Sequence, residues 1–296
     1  MCIRDSVGVC VAVLPQGRED VVVASAKELR GGAKWALNLN AWLVYFFFYA
    51  PIALLVFFSF SDDNLVGRWG GFTTRWYGEF LENDNVQNAL NNSIRVAILS
   101  TVISVVLGTM AGLALERYRF KGSQVFDALL YLPVIVPDVT MAVMMLIFFT
   151  SLDDLIGLQI TRGFSTITLA HIAFSISFVS IVVRARLAGT SEALEEAAQD
   201  LYASKWQTFR HITLPQILPG IVGGGLLALT LSLDDVVITQ FVSGPGSTTL
   251  PVFVFGLIRR GVSPLINAVS VVMLAASVLL VLLSLLAQRA RDGSVT

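Results

Sequence analysis

The segment SEALEEAAQDLYASKWQTFRHITLP, Ser191–Pro215, is a charged and polar stretch between two long apolar runs. Residues 163–183 on one side and 212–233 on the other contain no Asp, Glu, Lys or Arg. Each run is long enough for a helix of about 20 residues that spans the hydrocarbon core of a membrane. The pattern predicts two membrane-spanning helices joined by a structured polar loop.

Charged side chains are too scarce in this chain to cover a water-facing surface. Of its 296 residues, 55% are hydrophobic and 14% are charged, whereas a soluble domain carries about 25% charged residues. This composition excludes a soluble enzyme and a disordered chain. The net charge of −1 provides no strong field to attract a nucleic acid. The two cysteines, Cys2 and Cys10, indicate neither a disulfide framework nor a metal site.

The gaps between charged residues predict an all-α polytopic membrane protein. Six spans are expected, at about 36–60, 90–115, 126–150, 165–187, 216–241 and 265–288. Gly and Pro in SGPGSTTLP, Ser243–Pro251, predict a loop after the fifth span. That loop is expected to lead into a short surface helix and not into a seventh crossing.

Lys and Arg are concentrated in the N-terminal segment, the second and fourth loops and the C-terminal tail. Because cytoplasmic loops are enriched in these residues, both termini are predicted to be cytoplasmic. Residues 1–34 are expected to form a cytoplasmic segment that is disordered or lies upstream of the true start. Residues 35–289 are expected to form the transmembrane domain and residues 290–296 a cytoplasmic tail. The apolar run Val7–Leu14 is too short to span a membrane, and a signal peptide is not favoured.

The loop after the fourth span has the features of a helix that docks on a partner protein. Ser191 suits a helix start, and Glu192, Glu195 and Glu196 place negative charge near the positive end of that helix. Small residues at helical spacing give it a mildly apolar face. The alternative is a helix that rests on lipid, but such helices are usually rich in Lys and Arg. The acidic composition therefore favours a protein partner.

The second half of this loop is expected to form a short helix at about 205–211, which ITLP ends before the fifth span. The stretch EAAQDLYASKWQTFRHITLP resembles the EAA loop of binding-protein-dependent ABC importer permeases. That family pattern begins with EAA, has a Gly at the seventh position and ends in I-x-L-P. The matching positions are Glu196, Ala197, Ala198, Ile212, Leu214 and Pro215. Tyr202 stands at the Gly position, so a different or strained turn is expected there.

The resemblance implies a MetI-like permease fold in the bacterial inner membrane, with an ATPase-coupling helix in this loop. The coupling helix, expected at about 192–204, would lie in a cleft of a separate cytoplasmic ATPase dimer. The chain has no G-x-x-x-x-G-K-[ST] phosphate loop, so it is expected to be a non-catalytic permease subunit without a cofactor of its own. A second, similar permease and a periplasmic binding protein are the other implied partners.

Further patches are similar to the polyamine branch of this family, the spermidine and putrescine importer permeases. They are TTRWYGEFL at 73–81, LPVIVPDV at 132–139, SLDDVVITQFVSGPGSTTLP at 232–251 and RRGVSPLINA at 259–268. The resemblance covers about residues 36–288 and implies uptake of a polyamine by alternating access. Permeases for ferric ion or phosphonate share the architecture and are the alternative. An ion-coupled secondary transporter would usually contain inverted repeats, and none is evident in the sequence.

Three acidic residues are candidates for a pathway that carries protonated amines. Asp234 and Asp235 lie about 26 Å along the fifth span, near its expected external end, and Asp138 lies within the third span. Charges at membrane depth usually face a cavity or a partner. Capping is the alternative, because Ser232 and Asp235 fit S-x-x-D at a helix start and Asp138 fits an N-cap. His171, in the fourth span, is expected to bond a neighbouring helix.

Overall fold

The computed structural model describes residues 2–4, 10–12, 31–157, 161–260 and 264–292. Most of these residues are helical, as the apolar runs predict. The helices are α1 Gly31–Phe58, α2 Arg75–Glu82, α3 Asp84–Arg117, α4 Ser123–Ile135, α5 Asp138–Ile156, α6 Phe164–Leu187, α7 Ala193–Asp200, α8 Lys205–Thr208, α9 Leu214–Asp234, α10 Val237–Val242, α11 Leu250–Arg260 and α12 Pro264–Asp292. Two short strands, β1 Cys2–Arg4 and β2 Cys10–Ala12, pair antiparallel.

The chain divides into two units, Met1–Ala53 and Leu54–Thr296. The first unit contains the strand pair and most of α1, and the second contains α2 to α12. Most of the N-terminal segment predicted at 1–34 lies outside the described residues, as does the end of the predicted tail. The predicted division at 34 and 289 therefore stays a prediction.

Within the described residues, four helices are long and apolar enough to cross a membrane, namely Lys34–Phe58, Asp84–Arg117, Phe164–Leu187 and Lys205–Asp234. The pair α4 and α5 makes a fifth span if its two bent halves are taken together. The described apolar part of α12, Pro264–Leu279, is shorter. Six spans and cytoplasmic termini therefore stay predictions. The helix α11, after the Gly- and Pro-rich loop, is among the shorter apolar helices, in agreement with the absence of a predicted crossing there.

The third span, predicted at about 126–150 with a kink at its prolines, is divided between two helices. The chain forms α4 and α5, which meet at an angle of 116°. Val136 between them is extended, with φ −76° and ψ 131°. A residue before proline is disfavoured in the helical region, so Val136 ends α4 in front of Pro137. The bend is far larger than a proline kink inside a continuous helix.

The predicted break at ITLP is wrong. The helix runs on from α8 through a π-helical turn, Phe209–Thr213, into α9. The backbone NH of Leu214 donates to the carbonyl of Phe209, which is one residue farther back than in an α-helix. Pro215 follows this turn, at the start of α9. The fifth span, predicted to reach residue 241, instead breaks after Asp234.

The second unit has its packed centre where α3, α6 and α9 cross. Glycines allow these helices to approach closely: a Cβ built on Gly108 of α3 would lie 2.8 Å from Val179 Cβ of α6. A Cβ on Gly224 of α9 would lie 3.3 Å from Val179 Cα. A second cluster joins α5, α6 and α10 through buried apolar side chains such as Met141, Phe174 and Ile238. This second cluster supports one wall of the cavity described next.

Candidate functional sites at the two ends of α9

A cavity of about 440 Å³ lies beside the C-terminal end of α9. It brings together Asp138 at the start of α5, Asp234 at the end of α9 and Asp235 between α9 and α10. Phe174 and Phe178 of α6 are among the apolar lining residues. The described lining residues include no Lys or Arg. The three carboxylates that sequence reasoning singled out thus share one cavity although Asp138 is distant from the other two in sequence.

The three carboxylates differ in how they are held. Asp235 Oδ2 accepts hydrogen bonds from the backbone NH and the hydroxyl of Thr239, each 2.7 Å long, and Oδ1 accepts a 3.3 Å bond from the NH of Ile238. Asp235 therefore accepts bonds at the start of α10, whereas the capping considered from the sequence was an S-x-x-D box with Ser232. Asp138 and Asp234 are exposed, and the described part of the chain provides no hydrogen-bond or ion-pair partner for either carboxylate. Asp138 is itself the first residue of α5.

His171 of α6 is fully buried behind Asp235. Its Nε2 lies 2.9 Å from the Thr239 hydroxyl and 3.3 Å from Asp235 Oδ2, and its Nδ1 lies 2.7 Å from the Ser232 hydroxyl. Ser232 also contacts the Ser100 hydroxyl of α3 at 3.2 Å, so it does not form the S-x-x-D capping box with Asp235. Sequence reasoning predicted a bond from His171 to a neighbouring helix but not its link to the acidic cavity.

The polar loop lies at the other end of the α8–α9 helix. Helix α7 is shorter than the helix expected at about 192–204, and it buries none of its residues. Glu196 and Ala197 are exposed and Ala198 is half-buried. Leu194 and Leu201 are 52% and 82% exposed, so the loop presents an apolar and acidic surface. Ile212 and Leu214 are half-buried in and after the π-helical turn, and Pro215 is exposed.

Tyr202 adopts the turn that the usual Gly would make. Its φ is +63°, the only positive φ at a non-Gly residue within the described chain. The NH of Ala203 donates to the carbonyl of Ala198 at 3.0 Å, and the NH of Tyr202 donates to that of Gln199 at 2.9 Å. This pair of bonds is the Schellman motif that ends many helices. The strained alternative expected for Tyr202 is therefore the one adopted, and its side chain is 97% exposed.

Arg117, the last residue of α3, holds the start of the loop. Its guanidinium donates to Glu192 Oε1 at 2.6 Å, to Glu195 Oε1 at 3.0 Å and to the Thr190 hydroxyl at 3.1 Å. Thr213, in the π-helical turn, also donates to Glu195 Oε1, at 3.0 Å. Sequence reasoning assigned Arg117 only to the positive charge of the second loop, because nothing local indicates a contact 78 residues away.

Comparison with known proteins identifies the family of this chain. Residues 104–295 match the family model described as the binding-protein-dependent transport system inner membrane component. The chain belongs to that family. The putrescine transport system permease protein PotI of Escherichia coli K12 is 44% identical over 235 residues, 79% of this chain and 84% of PotI. The spermidine/putrescine transport system permease protein PotC of the same strain is 36% identical over 261 residues, 88% of this chain and 94% of PotC.

A solved structure shows the same fold for a more distant permease. It is the crystal structure of a bacterial ABC transporter involved in the import of the acidic polysaccharide alginate, with a TM-score of 0.71 at 19% identity. The match covers 88% of this chain and 96% of that one. The predicted ABC importer permease fold is thereby confirmed. The chain is a multi-pass inner-membrane transport permease component, not an enzyme, of a class that works with an ATPase and a periplasmic binding protein.

Proposed function

We propose that this permease moves a polyamine, putrescine or spermidine, across the inner membrane by alternating access. The observation that carries the proposal is the cavity in which Asp138, Asp234 and Asp235 meet Phe174 and Phe178. A polyamine is a flexible apolar chain that carries protonated amines at neutral pH. Exposed carboxylates can pair with those amines, and aromatic faces attract ammonium groups. The relatives PotI and PotC are named as polyamine permeases, which supports the same cargo.

The absence of Lys and Arg from the described cavity lining also favours a cationic cargo. A phosphonate would need positive groups or clustered backbone NH groups at its binding site. A ferric ion would prefer several oxygen ligands in one cluster. No group of three or more His, Cys, Asp or Glu that could hold a metal occurs among the described residues. The two alternative cargoes considered from the sequence are therefore less compatible with this cavity.

The loop at the other end of α9 is proposed to dock on a cytoplasmic ATPase. Glu196, Ala197 and Ala198 provide an exposed acidic and small-residue surface on α7, and Leu201 and Tyr202 add exposed apolar area. The loop continues without a break into α9, whose 21 residues extend about 30 Å to the cavity. We infer a working complex of this permease, a second similar permease, an ATPase dimer and a periplasmic polyamine-binding protein.

The proposal is tested with the complex reconstituted in liposomes with its binding protein. Putrescine and spermidine are expected to stimulate ATP hydrolysis and to accumulate inside. Uptake should persist when ionophores abolish the membrane potential and ion gradients, because ATP supplies the energy. Stimulation by a phosphonate or ferric ion with no response to either polyamine would contradict the proposed cargo. Uptake that follows a proton or sodium gradient would contradict ATP-driven transport.

Docking is tested separately with Glu196→Lys. This variant should insert normally in the membrane but lose co-purification of the ATPase, since it reverses the charge of an exposed side chain on α7. Glu82→Lys is the matched control, because Glu82 is also exposed but lies at the end of α2, outside the loop. Retention of the ATPase by Glu196→Lys at the control level would contradict the coupling assignment.

A further inference from the structure

Three helices meet at the carboxylate of Glu195. Arg117 at the end of α3 donates to Glu195 Oε1 at 3.0 Å, and Thr213 just before α9 donates to the same oxygen, also at 3.0 Å. Glu195 itself lies in the first turn of α7. One oxygen atom thus connects α7 to both α3 and the entry of α9, two of the helices in the packed centre.

This contact is protected from water more than an ordinary surface ion pair. The side chains of Arg117 and Glu195 are 13% and 22% exposed, and Thr213 is buried. The second pair, Arg117 with Glu192, involves a carboxylate that is 67% exposed, and exposed pairs contribute little. The planar guanidinium can bind two carboxylates at once through separate nitrogens, so Glu192 assists while Glu195 forms the main link.

Helix α7 depends on polar contacts for its attachment. It buries none of its residues, so apolar packing holds it weakly against the membrane helices. Its main contacts are with α8 and the π-helical turn that follow it in the chain, and the ion pair with Arg117 adds a connection to α3. Without that pair, α7 would move with α8 but no longer with α3.

We propose that Arg117 is a positioning residue that transmits the movement of α7 to α3, and so couples ATP hydrolysis to opening of the cavity. This inference rests on the proposed docking of the loop on an ATPase. Coupling between distant sites requires an element that both sites bias. Here that element is α3 together with α9, which pack against each other and against α6. Ser100 of α3 and Ser232 of α9 contact each other beside the cavity network.

The test compares Arg117→Met, Glu195→Gln and the double variant in the reconstituted complex with its ATPase and binding protein. Polyamine uptake and ATP hydrolysis are measured in the same vesicles, and their ratio reports coupling. Each single variant is expected to lower the ratio about tenfold, within the range typical of coupling between sites, while hydrolysis continues. The double variant should lower the ratio no further than Arg117→Met alone, because that change already removes the ion pair with Glu195 and the introduced amide can still accept from Thr213. Arg119→Met changes an exposed arginine two residues after Arg117, and it should keep the wild-type ratio.

Arg117→Lys extends the test to a variant that keeps the positive charge. Its ammonium is a compact charge without the planar fork, so an intermediate ratio is expected. A parallel fall of hydrolysis and uptake in Arg117→Met and Glu195→Gln would overturn the inference and indicate a merely structural role. A wild-type ratio of uptake to hydrolysis in these two variants, in complexes that retain the ATPase, would overturn it as well. If the proposed docking on the ATPase is itself wrong, the result will differ, because Glu196→Lys will still co-purify with the ATPase.

Discussion

The ring nitrogen Nε2 of His171 lies 3.3 Å from Oδ2 of Asp235, and these side chains are only 1% and 10% exposed. The Thr239 hydroxyl donates to the same Asp235 oxygen, so its own oxygen accepts from His171 Nε2, at 2.9 Å. The imidazole therefore carries a proton on Nε2. This chain of bonds fixes the break between α9 and α10 against α6, and it satisfies the Asp235 carboxylate while Asp138 and Asp234 remain exposed to the cavity.

Replacement of His171 by Leu is expected to destabilise the permease strongly. The change removes the imidazole that bonds the buried hydroxyls of Ser232 and Thr239, and a buried polar group left unsatisfied costs about 1–3 kcal/mol. The apparent melting temperature of the purified complex should fall accordingly. His211→Leu is the matched control, because His211 is exposed and contacts a backbone carbonyl at 3.0 Å. Equal shifts for the two variants would contradict a special role for the buried histidine.

Tyr202→Gly is expected to stabilise the loop by about 1 kcal/mol. A left-handed conformation costs a residue with a side chain roughly 1–2 kcal/mol, and the more flexible unfolded state of glycine offsets part of the gain. Tyr202→Ala is the control, since alanine retains the Cβ that causes the strain. Thermal melting of the complex measures both. If alanine stabilises as much as glycine, the tyrosine ring and not the backbone angle is responsible.

The turn at Tyr202 shows what the sequence could predict here. Its position in the EAA pattern indicated a sharp turn after the coupling helix, and a positive φ is found at that residue. Long apolar runs likewise predicted α1, α3, α6 and α9, because the length and charge of a run are local properties. The helix through Pro215 was missed because the π-helical turn that accommodates it depends on backbone bonds that no local pattern specifies.

The cavity was predictable only as separate carboxylates. The bend of 116° between α4 and α5 depends on how the two halves pack against other helices. His171 bonds to Ser232 and Thr239, which lie 61 and 68 residues farther along the chain. Residue type alone does not identify such contacts. The bonds from Ile238 and Thr239 to Asp235 are local, but the sequence pattern indicated a box with Ser232 instead of these partners.

The close approach of α3 and α6 should tolerate no methyl group at Gly108. A Cβ there would lie 2.9 Å from the carbonyl oxygen of Ile176, a backbone atom that cannot rotate away. Gly108→Ala is therefore expected to cost about 1–3 kcal/mol as overpacking. At Gly223 of α9 the nearest atom to a Cβ is 3.9 Å away, so Gly223→Ala should be neutral or stabilising by up to about 1 kcal/mol. Melting temperatures that change equally would show that α3 and α6 can separate.

Changing each of the three cavity carboxylates to the amide is expected to affect transport at two of them and stability at the third. Asp138 and Asp234 are exposed to the cavity, so Asp138→Asn and Asp234→Asn should leave assembly and melting temperature unchanged. Loss of a charge-assisted contact to an ammonium group is worth about 1.5–3 kcal/mol, so kcat/KM for uptake should fall at least about tenfold.

Asp235→Asn should instead lower the melting temperature, because that carboxylate faces His171 and caps α10. Initial uptake rates of radiolabelled putrescine in liposomes measure transport, and Glu82→Gln, an exposed carboxylate on α2, is the control. Wild-type uptake in both Asp138→Asn and Asp234→Asn would place the polyamine path elsewhere. A loss of uptake confined to Asp235→Asn, at wild-type stability, would reverse the roles and make Asp235 the contact for the cargo.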